Sequence, residues 1–167
     1  MLTGSFASAY YGTPRSTQDI DLVVAGSIAQ LQTFVESLPG QQYYSDVNAA
    51  LEAHKRESMF NVIDLESGWK IDLIIRKSRA FSREEFERRY LMEIQGAHLF
   101  VASVEDVIIA KLEWAKRAQS QRQIEDAAGI IRIQRDSLDR SYLEKWIQDL
   151  DLAEEWETAQ RVAGNFP

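Results

Sequence analysis

The spacing of apolar residues changes near residue 102 of this chain. Before that point, short apolar runs are separated by glycine, proline and serine, which is typical of strands and short helices. After it, apolar residues recur every three to four positions, which predicts amphipathic helices. Strands are predicted at residues 2–3, 20–24 and 59–75, the last as a pair, with a strand or hairpin at 93–102 around Gly96. Helices are predicted at residues 6–11, 27–38, 46–55, 82–90, 104–117, 121–134, 139–149 and 152–162.

The pattern therefore predicts an α/β (α+β) fold in two parts. We expect a core at residues 1–102 and a C-terminal helical region at residues 103–167 that packs on it. Ser27 and Ser103 are predicted to cap helices, and Ser82 with Glu85 is predicted to form a capping box.

The segment MFNVIDLESGWKIDLII allows two hairpin loops. A two-residue loop, Ser67 and Gly68, would put Ile63 on the same face as Asp72. A three-residue loop, residues 66–68, separates the core-facing residues from those on the opposite face. It also places Gly68 at the third loop position, which favours a left-handed backbone conformation. We expect the three-residue loop. It places on the core face Ile63, Leu65, Trp69, Ile71, Leu73 and Ile75. It places on the other face Val62, Asp64, Lys70, Asp72 and Ile74.

Composition narrows the class of protein. The 167 residues are 45% hydrophobic and include no cysteine, which excludes disulfides and thiolate metal sites and fits a reducing cytoplasm. No apolar run is long enough to span a membrane. The net charge of −7 argues against a general nucleic-acid coat. Residues 76–89 and 111–122 are locally basic, so they could meet an anionic ligand or form ordinary solvated helix faces.

Two aspartates at the start of a strand are the first chemical signal. Asp19 and Asp21 are two residues apart, so both should point to one face of the strand, about 7 Å apart. Their repulsion would be relieved by a cation, and oxygen ligands of this kind suit Mg²⁺ or Mn²⁺. Asp72 is the expected third carboxylate, and Asp64 is its competitor. Asp64 should sit across from Lys70, which favours a salt bridge for it instead.

Gly4 and Ser5 follow the first predicted strand and precede a helix. A glycine there lets the backbone approach a phosphate, and the helix N-terminus offers free N–H groups. A tight turn is the ordinary alternative. Lys111 interrupts an apolar helix face, where it could either bind phosphate or extend its charged end into solvent.

The order of these motifs resembles the DNA polymerase β-type nucleotidyltransferase superfamily. Its pattern is Gly-Gly or Gly-Ser, a short helix, an Asp-apolar-Asp pair and a third carboxylate. The segment GTPRSTQDIDL, with Arg15 and Thr17, is similar to the branch that contains nucleotidyltransferase toxins of type IV toxin–antitoxin systems and their uncharacterised bacterial relatives. VASVEDVIIAKLEWAKR and RQIEDAAGI are also similar to that branch. There, residues at the positions of Lys111, Arg122 and Asp126 line the cleft.

The resemblance implies a nucleotidyltransferase fold, with a short mixed sheet flanked by helices, and a reaction. Asp19 and Asp21 would hold two Mg²⁺ (or Mn²⁺) ions, and Asp72 would be a ligand and the candidate general base. Gly4 and Ser5 would hold the β- and γ-phosphates. The remaining nucleotide-binding residues would be Arg15, Thr17 and Lys111. A nucleoside monophosphate would pass from a nucleoside triphosphate to an acceptor hydroxyl.

The acceptor is left open between a protein, a tRNA end and a small molecule such as an aminoglycoside, in a bacterial toxin–antitoxin setting. The alternative is a catalytically weak or inactive module of this fold that binds a partner protein, as an antitoxin or regulatory subunit. For either function, the expected protein partner is another protein or a second copy of the chain. The intact carboxylates and Gly4-Ser5 favour the enzyme. Family members commonly have a helix before the first strand and this chain begins at that strand, which favours a late annotated start or a partner covering the strand.

Overall fold

Residues 1–12, 14, 16–94 and 96–164 are described by the structure, a computed structural model. Contacts divide the chain into two units. The first, called the sheet unit, joins Met1–Ser5 to Ser16–Val101. The second, called the helical unit, joins Phe6–Arg15 to Ala102–Pro167. The division into a core at residues 1–102 and a C-terminal helical region at residues 103–167 stays a prediction.

A mixed sheet runs through the sheet unit and confirms the predicted α/β class. Its strands are β1 Leu2–Thr3, β2 Asp19–Val24, β3 Tyr43–Tyr44, β4 Met59–Asp64, β5 Lys70–Ile75, β6 Tyr90–Ile94 and β7 Ala97–Val101. They are hydrogen-bonded in the order β3-β4-β5-β2-β1-β7-β6. The pairs β2–β5 and β1–β7 are parallel, and the other pairs are antiparallel. The parallel pair β2–β5 lies at the centre of this order and carries the predicted carboxylates.

Helices α2 (Ile28–Ser37) and α3 (Val47–Arg56) pack on this sheet. Ser27 caps α2 and forms a capping box with Gln30, which confirms the predicted start of that helix. The core of the sheet unit consists of apolar side chains from these two helices and from β4 and β5: Leu31, Val35, Ala50, Ala53, Phe60, Val62, Leu73 and Ile75.

The predicted loop between β4 and β5 is wrong by one residue. Asp64 pairs with Trp69, so that four residues form the loop, and Asn61 rather than Val62 lies opposite Asp72. The Asp64 side chain explains the difference, because its Oδ1 accepts hydrogen bonds from the backbone N–H groups of residues 66 and 67 at 2.9 and 3.2 Å. Val62 therefore packs in the core, and Leu65 is exposed.

The predicted capping box at Ser82 and Glu85 is also wrong. Helix α4 (Ala80–Glu87) begins two residues before Ser82, and both residues lie inside it with buried side chains. Ser82 Oγ accepts a hydrogen bond from Arg79 Nε at 3.0 Å instead of capping the helix. Tyr90 begins β6, and β6 and β7 form the hairpin around Gly96 that was one of the two predicted alternatives.

The helical unit contains most of helix α1 (Gly4–Tyr11), whose first two residues belong to the sheet unit, together with four later helices. These are α5 Val104–Ala118, α6 Gln121–Gln134, α7 Arg140–Asp149 and α8 Ala153–Gly164. The Tyr11 hydroxyl donates to the Ala102 carbonyl at 2.7 Å, and Gln134 Nε2 donates to the Tyr11 carbonyl at 2.9 Å. Ser103 caps α5 as predicted. In the described part of the chain, no helix is both long and apolar enough to cross a membrane.

Candidate active site

Strands β2 and β5 place four charged residues on one face of the sheet unit. In their parallel pairing, Asp21 lies opposite Asp72 and Asp19 lies opposite Lys70. Because side chains alternate along a strand and opposed residues share a face, all four project to the same side. Ile20 and Ile71 lie between them and face the other side, where Ile71 packs against the core of the sheet unit. The sequence pattern of β2 and β5 therefore builds both the core and a charged cluster.

Lys70 joins two of the three carboxylates. Its Nζ lies 2.9 Å from Asp72 Oδ2 and 3.4 Å from Asp19 Oδ1. The hydrogen bond to Asp72, together with the negative charges of Asp72 and Asp19, raises the pKa of Lys70 above its usual value. A single protonated amine thus holds the position between two aspartates that come from different strands.

Asp72 is the most buried member of the cluster, with 4% of its surface exposed. Its Oδ2 binds Lys70, but its Oδ1 is buried and has no hydrogen-bond partner among the described residues. A buried carboxylate oxygen without a partner is costly, so such an atom indicates a site that a ligand completes. A proton donor or a cation would satisfy it.

The cluster suits a hard divalent cation in charge and donor type, because it consists of carboxylate oxygens that already share one positive charge. Within the described ranges, no three His, Cys, Asp or Glu side chains are grouped so that they could hold a metal ion. Asp19 and Asp72 instead contact Lys70, and Asp21 accepts a hydrogen bond from the Ser5 N–H.

Asp21 lies against the start of helix α1. Gly4 has a φ of +62°, and a Cβ added there would lie 2.7 Å from Asp21 Cβ and closer still to its carboxylate. The Ser5 backbone N–H donates to Asp21 Oδ2 at 3.4 Å. The helix N-terminus, predicted to receive a phosphate, is therefore in contact with a carboxylate, which its positive dipole end also favours. The structure brings Gly4, Ser5 and Asp21 together.

The predicted residues just before β2 have a local role in the structure. Thr17 Oγ1 accepts from the Asp19 N–H at 3.2 Å and donates to the Asp19 carbonyl at 3.3 Å. These bonds fix the backbone at the start of β2, which positions Asp19. Arg15, the other nucleotide-binding residue predicted in this segment, lies outside the described residues.

In the helical unit, Lys111 and Asp126 form a buried ion pair. Lys111 Nζ lies 2.8 Å from Asp126 Oδ2, and the two side chains are only 5% and 10% exposed. The alternative in which Lys111 extends its charged end into solvent is therefore wrong. A phosphate-binding role for Lys111 stays a prediction. Arg122 lies on the same helix as Asp126 and is exposed.

Lys70 is the residue that sequence reasoning assigned to the wrong partner. Asp64 was expected to pair with it, but Asp64 caps its own loop and leaves Lys70 to Asp72 and Asp19. The alternation of β5 already put Lys70 and Asp72 on one face. What was missing was the parallel register that sets Asp19 opposite Lys70.

Comparison with known proteins shows the fold. No protein-family model and no curated protein matches the chain. A solved structure, an antigenic nucleotidyltransferase-like protein from Paracoccidioides brasiliensis, is similar to it with a TM-score of 0.51. The likeness covers 96% of this chain and 83% of that chain at 13% sequence identity. The chain therefore has a nucleotidyltransferase-like fold, as the resemblance implied.

Proposed function

We propose that the protein is a metal-dependent nucleotidyltransferase, which moves a nucleoside monophosphate from a nucleoside triphosphate to an acceptor hydroxyl. One observation carries the proposal. Asp19 and Asp72, from neighbouring parallel strands, share one cation position, and Asp72 keeps a second buried oxygen without a partner among the described residues. The nucleotidyltransferase-like fold supports the same class of reaction.

Asp19, Asp21 and Asp72 would hold Mg²⁺ or Mn²⁺. Two divalent cations bound there would supply the positive charge that stabilises the attacking and leaving oxygens of an in-line displacement. Asp72 Oδ1 would accept the proton of the acceptor hydroxyl as its oxygen bonds to the α-phosphorus. The bond from the α-phosphorus to the oxygen bridging the α- and β-phosphates would break, and pyrophosphate would leave.

The start of α1 would hold the β- and γ-phosphates. Gly4 permits close approach there, and the Ser5 N–H that now contacts Asp21 would donate to a phosphate oxygen once Asp21 turns toward the cation. Arg15, Thr17 and Lys111 are proposed to assist in binding the nucleotide. Arg122 and Asp126 are proposed to line the cleft. The support for these five residues is the sequence resemblance.

The finer identity of the enzyme is proposed on the same resemblance. The segment 12–22 supports a bacterial enzyme in a toxin–antitoxin setting, with a protein, a tRNA end or a small molecule as acceptor. A cytoplasmic location is proposed because a chain without cysteine fits a reducing compartment.

A second candidate function is favoured by the contacts within the site. Lys70 already neutralises Asp19 and Asp72, and Asp21 already contacts the Ser5 N–H. A cluster whose charges are already neutralised by its own residues would suit a weak or inactive member of the fold that works by binding a partner protein. Metal binding separates the two candidates.

Mg²⁺ or Mn²⁺ should therefore raise the melting temperature of the wild type, since a ligand that binds only the folded state stabilises it. At 100 times the dissociation constant the gain is about 2.7 kcal/mol. Asp19→Asn combined with Asp21→Asn should abolish the shift, while circular dichroism shows a folded protein. Asp64→Asn is the matched control, because it removes a carboxylate of the same unit outside the cluster, and it should keep the shift.

Calorimetry extends the test to the nucleotide. With Mg²⁺ present, a nucleoside triphosphate should bind the wild type more tightly than the monophosphate does. A double variant that responds to metal as fully as the wild type would place the ions elsewhere. A wild type without metal-dependent triphosphate binding at millimolar ligand would favour the partner-binding candidate.

A further inference from the structure

We propose that the Lys70 ammonium competes with divalent cations for the metal site. This inference rests on the proposed function. The ammonium occupies the position between Asp19 and Asp72 while the site is metal-free, and it withdraws when a divalent cation binds both carboxylates. Lys70 is then a residue that sets how tightly the protein binds metal, and it is not a catalytic residue.

The position of Lys70 is determined by the sheet. It lies two residues before Asp72 on β5 and directly opposite Asp19 on β2, so its stem projects from the same face as both carboxylates. Its Nζ contacts Asp72 Oδ2 at 2.9 Å and Asp19 Oδ1 at 3.4 Å. A cation that used these two oxygens would therefore meet the ammonium in the same place, and like charges at that separation repel strongly.

Lys70 and Asp72 form the shorter of the two contacts, and of these two residues the lysine is the one that can move. The Lys70 side chain is 36% exposed, whereas the Asp72 side chain is 6% exposed and is held in the sheet. Lysine has a flexible four-carbon stem, and its charged end is well solvated once it reaches water. Lys70 can thus turn away from the cluster without a change in the backbone, while Asp72 keeps its place.

The withdrawal of Lys70 links metal binding to the binding of the nucleoside triphosphate. An ammonium that has left two carboxylates gains most from a new anionic partner, and the phosphates of a nucleoside triphosphate would lie beside it. Triphosphate should therefore favour the state in which the lysine has withdrawn, and that state is also the one that binds metal. By linkage, each ligand then raises the affinity of the other.

Mn²⁺ alone is the probe that tests this competition. Lys70→Met removes the ammonium and keeps the length of the stem. Isothermal titration calorimetry without nucleotide should show about tenfold tighter Mn²⁺ binding than in the wild type if Lys70 leaves the site open in about one wild-type molecule in ten, because the apparent dissociation constant is the intrinsic one divided by the open fraction. Without metal, the same variant should melt at a lower temperature, because the carboxylates then repel each other.

Lys55→Met is the matched control for charge. Lys55 is exposed on α3 and forms no ion pair with any described residue, so its removal changes net charge equally and should leave Mn²⁺ affinity within about twofold of wild type. Lys70→Arg keeps the positive charge and should keep the weak affinity. If Lys70→Met does not fold, Lys70→Gln gives the same test.

The outcomes distinguish this inference from the proposed function. If the wild type binds Mn²⁺ and Lys70→Met binds it equally or more weakly, the competition is refuted while the metal site stands. If neither protein binds Mn²⁺ at millimolar concentration, both the competition and the proposed metal-dependent function are refuted. Tighter binding in Lys70→Met but not in Lys55→Met supports the competition.

Discussion

Lys111→Met should lower the free energy of unfolding by about 3 kcal/mol. The Lys111 side chain is 5% exposed and lies 2.8 Å from Asp126, whose side chain is 10% exposed. Removing one member of a buried ion pair leaves the other charge in a poorly solvated place, and this is among the more damaging single changes. Denaturant unfolding followed by circular dichroism measures the loss, which does not depend on the proposed nucleotide role of Lys111.

Lys116→Met is the matched control for this experiment. Lys116 lies on the same helix, and its Nζ contacts Asp151 Oδ2 at the same 2.8 Å, but the two side chains are 41% and 94% exposed. Water screens that pair, so the variant should unfold almost as the wild type does. Equal losses for the two variants would contradict a buried Lys111–Asp126 pair.

Gly4→Ala should have the next largest effect, about 2.5 kcal/mol, together with loss of the metal response. At a φ of +62° any L side chain is strained, which costs about 1 kcal/mol. The added Cβ would also lie 2.7 Å from Asp21 Cβ, so the start of α1 and strand β2 would have to move apart. That movement breaks the Ser5–Asp21 hydrogen bond and displaces Asp21 from the proposed metal site. A long hydrogen bond to a charged group is worth about 1.5 kcal/mol. Thermal melts with and without Mg²⁺ measure both effects.

Gly68→Ala measures the cost of backbone strain without steric overlap of the added Cβ. Gly68 has a φ of +73°, yet an added Cβ there would have no atom within 4 Å. This variant should cost only about 1 kcal/mol and should respond to metal as the wild type does. If Gly4→Ala costs no more than Gly68→Ala, the close approach of Gly4 to Asp21 has no energetic weight.

Features set by neighbours in the chain were predictable from the sequence. The caps at Ser27 and Ser103 depend on contacts within three residues, and both are present. The strand bearing Asp19 and Asp21 was predicted from its own alternation, and β2 begins at Asp19. The fold class follows from these elements, since short strands followed by amphipathic helices allow few arrangements.

Features set by distant partners were not predictable in the same way. The β4–β5 register depended on which backbone groups the Asp64 side chain would bind, and the alternation of apolar residues carries no information about that. Lys70 meets Asp19 only because β2 and β5, about 50 residues apart in the chain, pair in parallel. Lys111 meets Asp126 across two helices, so its charge is compensated by a partner that its own helix pattern does not reveal.

Transfer of labelled phosphate is the most direct test of the proposed activity. The protein is incubated with Mg²⁺ or Mn²⁺, cell lysate as a source of acceptors, and each nucleoside triphosphate labelled at either the α- or the γ-phosphate. Label from the α-phosphate should enter a protein, an RNA or a small molecule, while label from the γ-phosphate leaves as pyrophosphate. The variant with Asp19→Asn and Asp21→Asn should transfer no more label than the lysate does alone. The proposed activity would be contradicted if the protein adds no α-label transfer to that of the lysate alone, if it adds transfer from the γ-phosphate instead, or if that variant adds as much as the wild type.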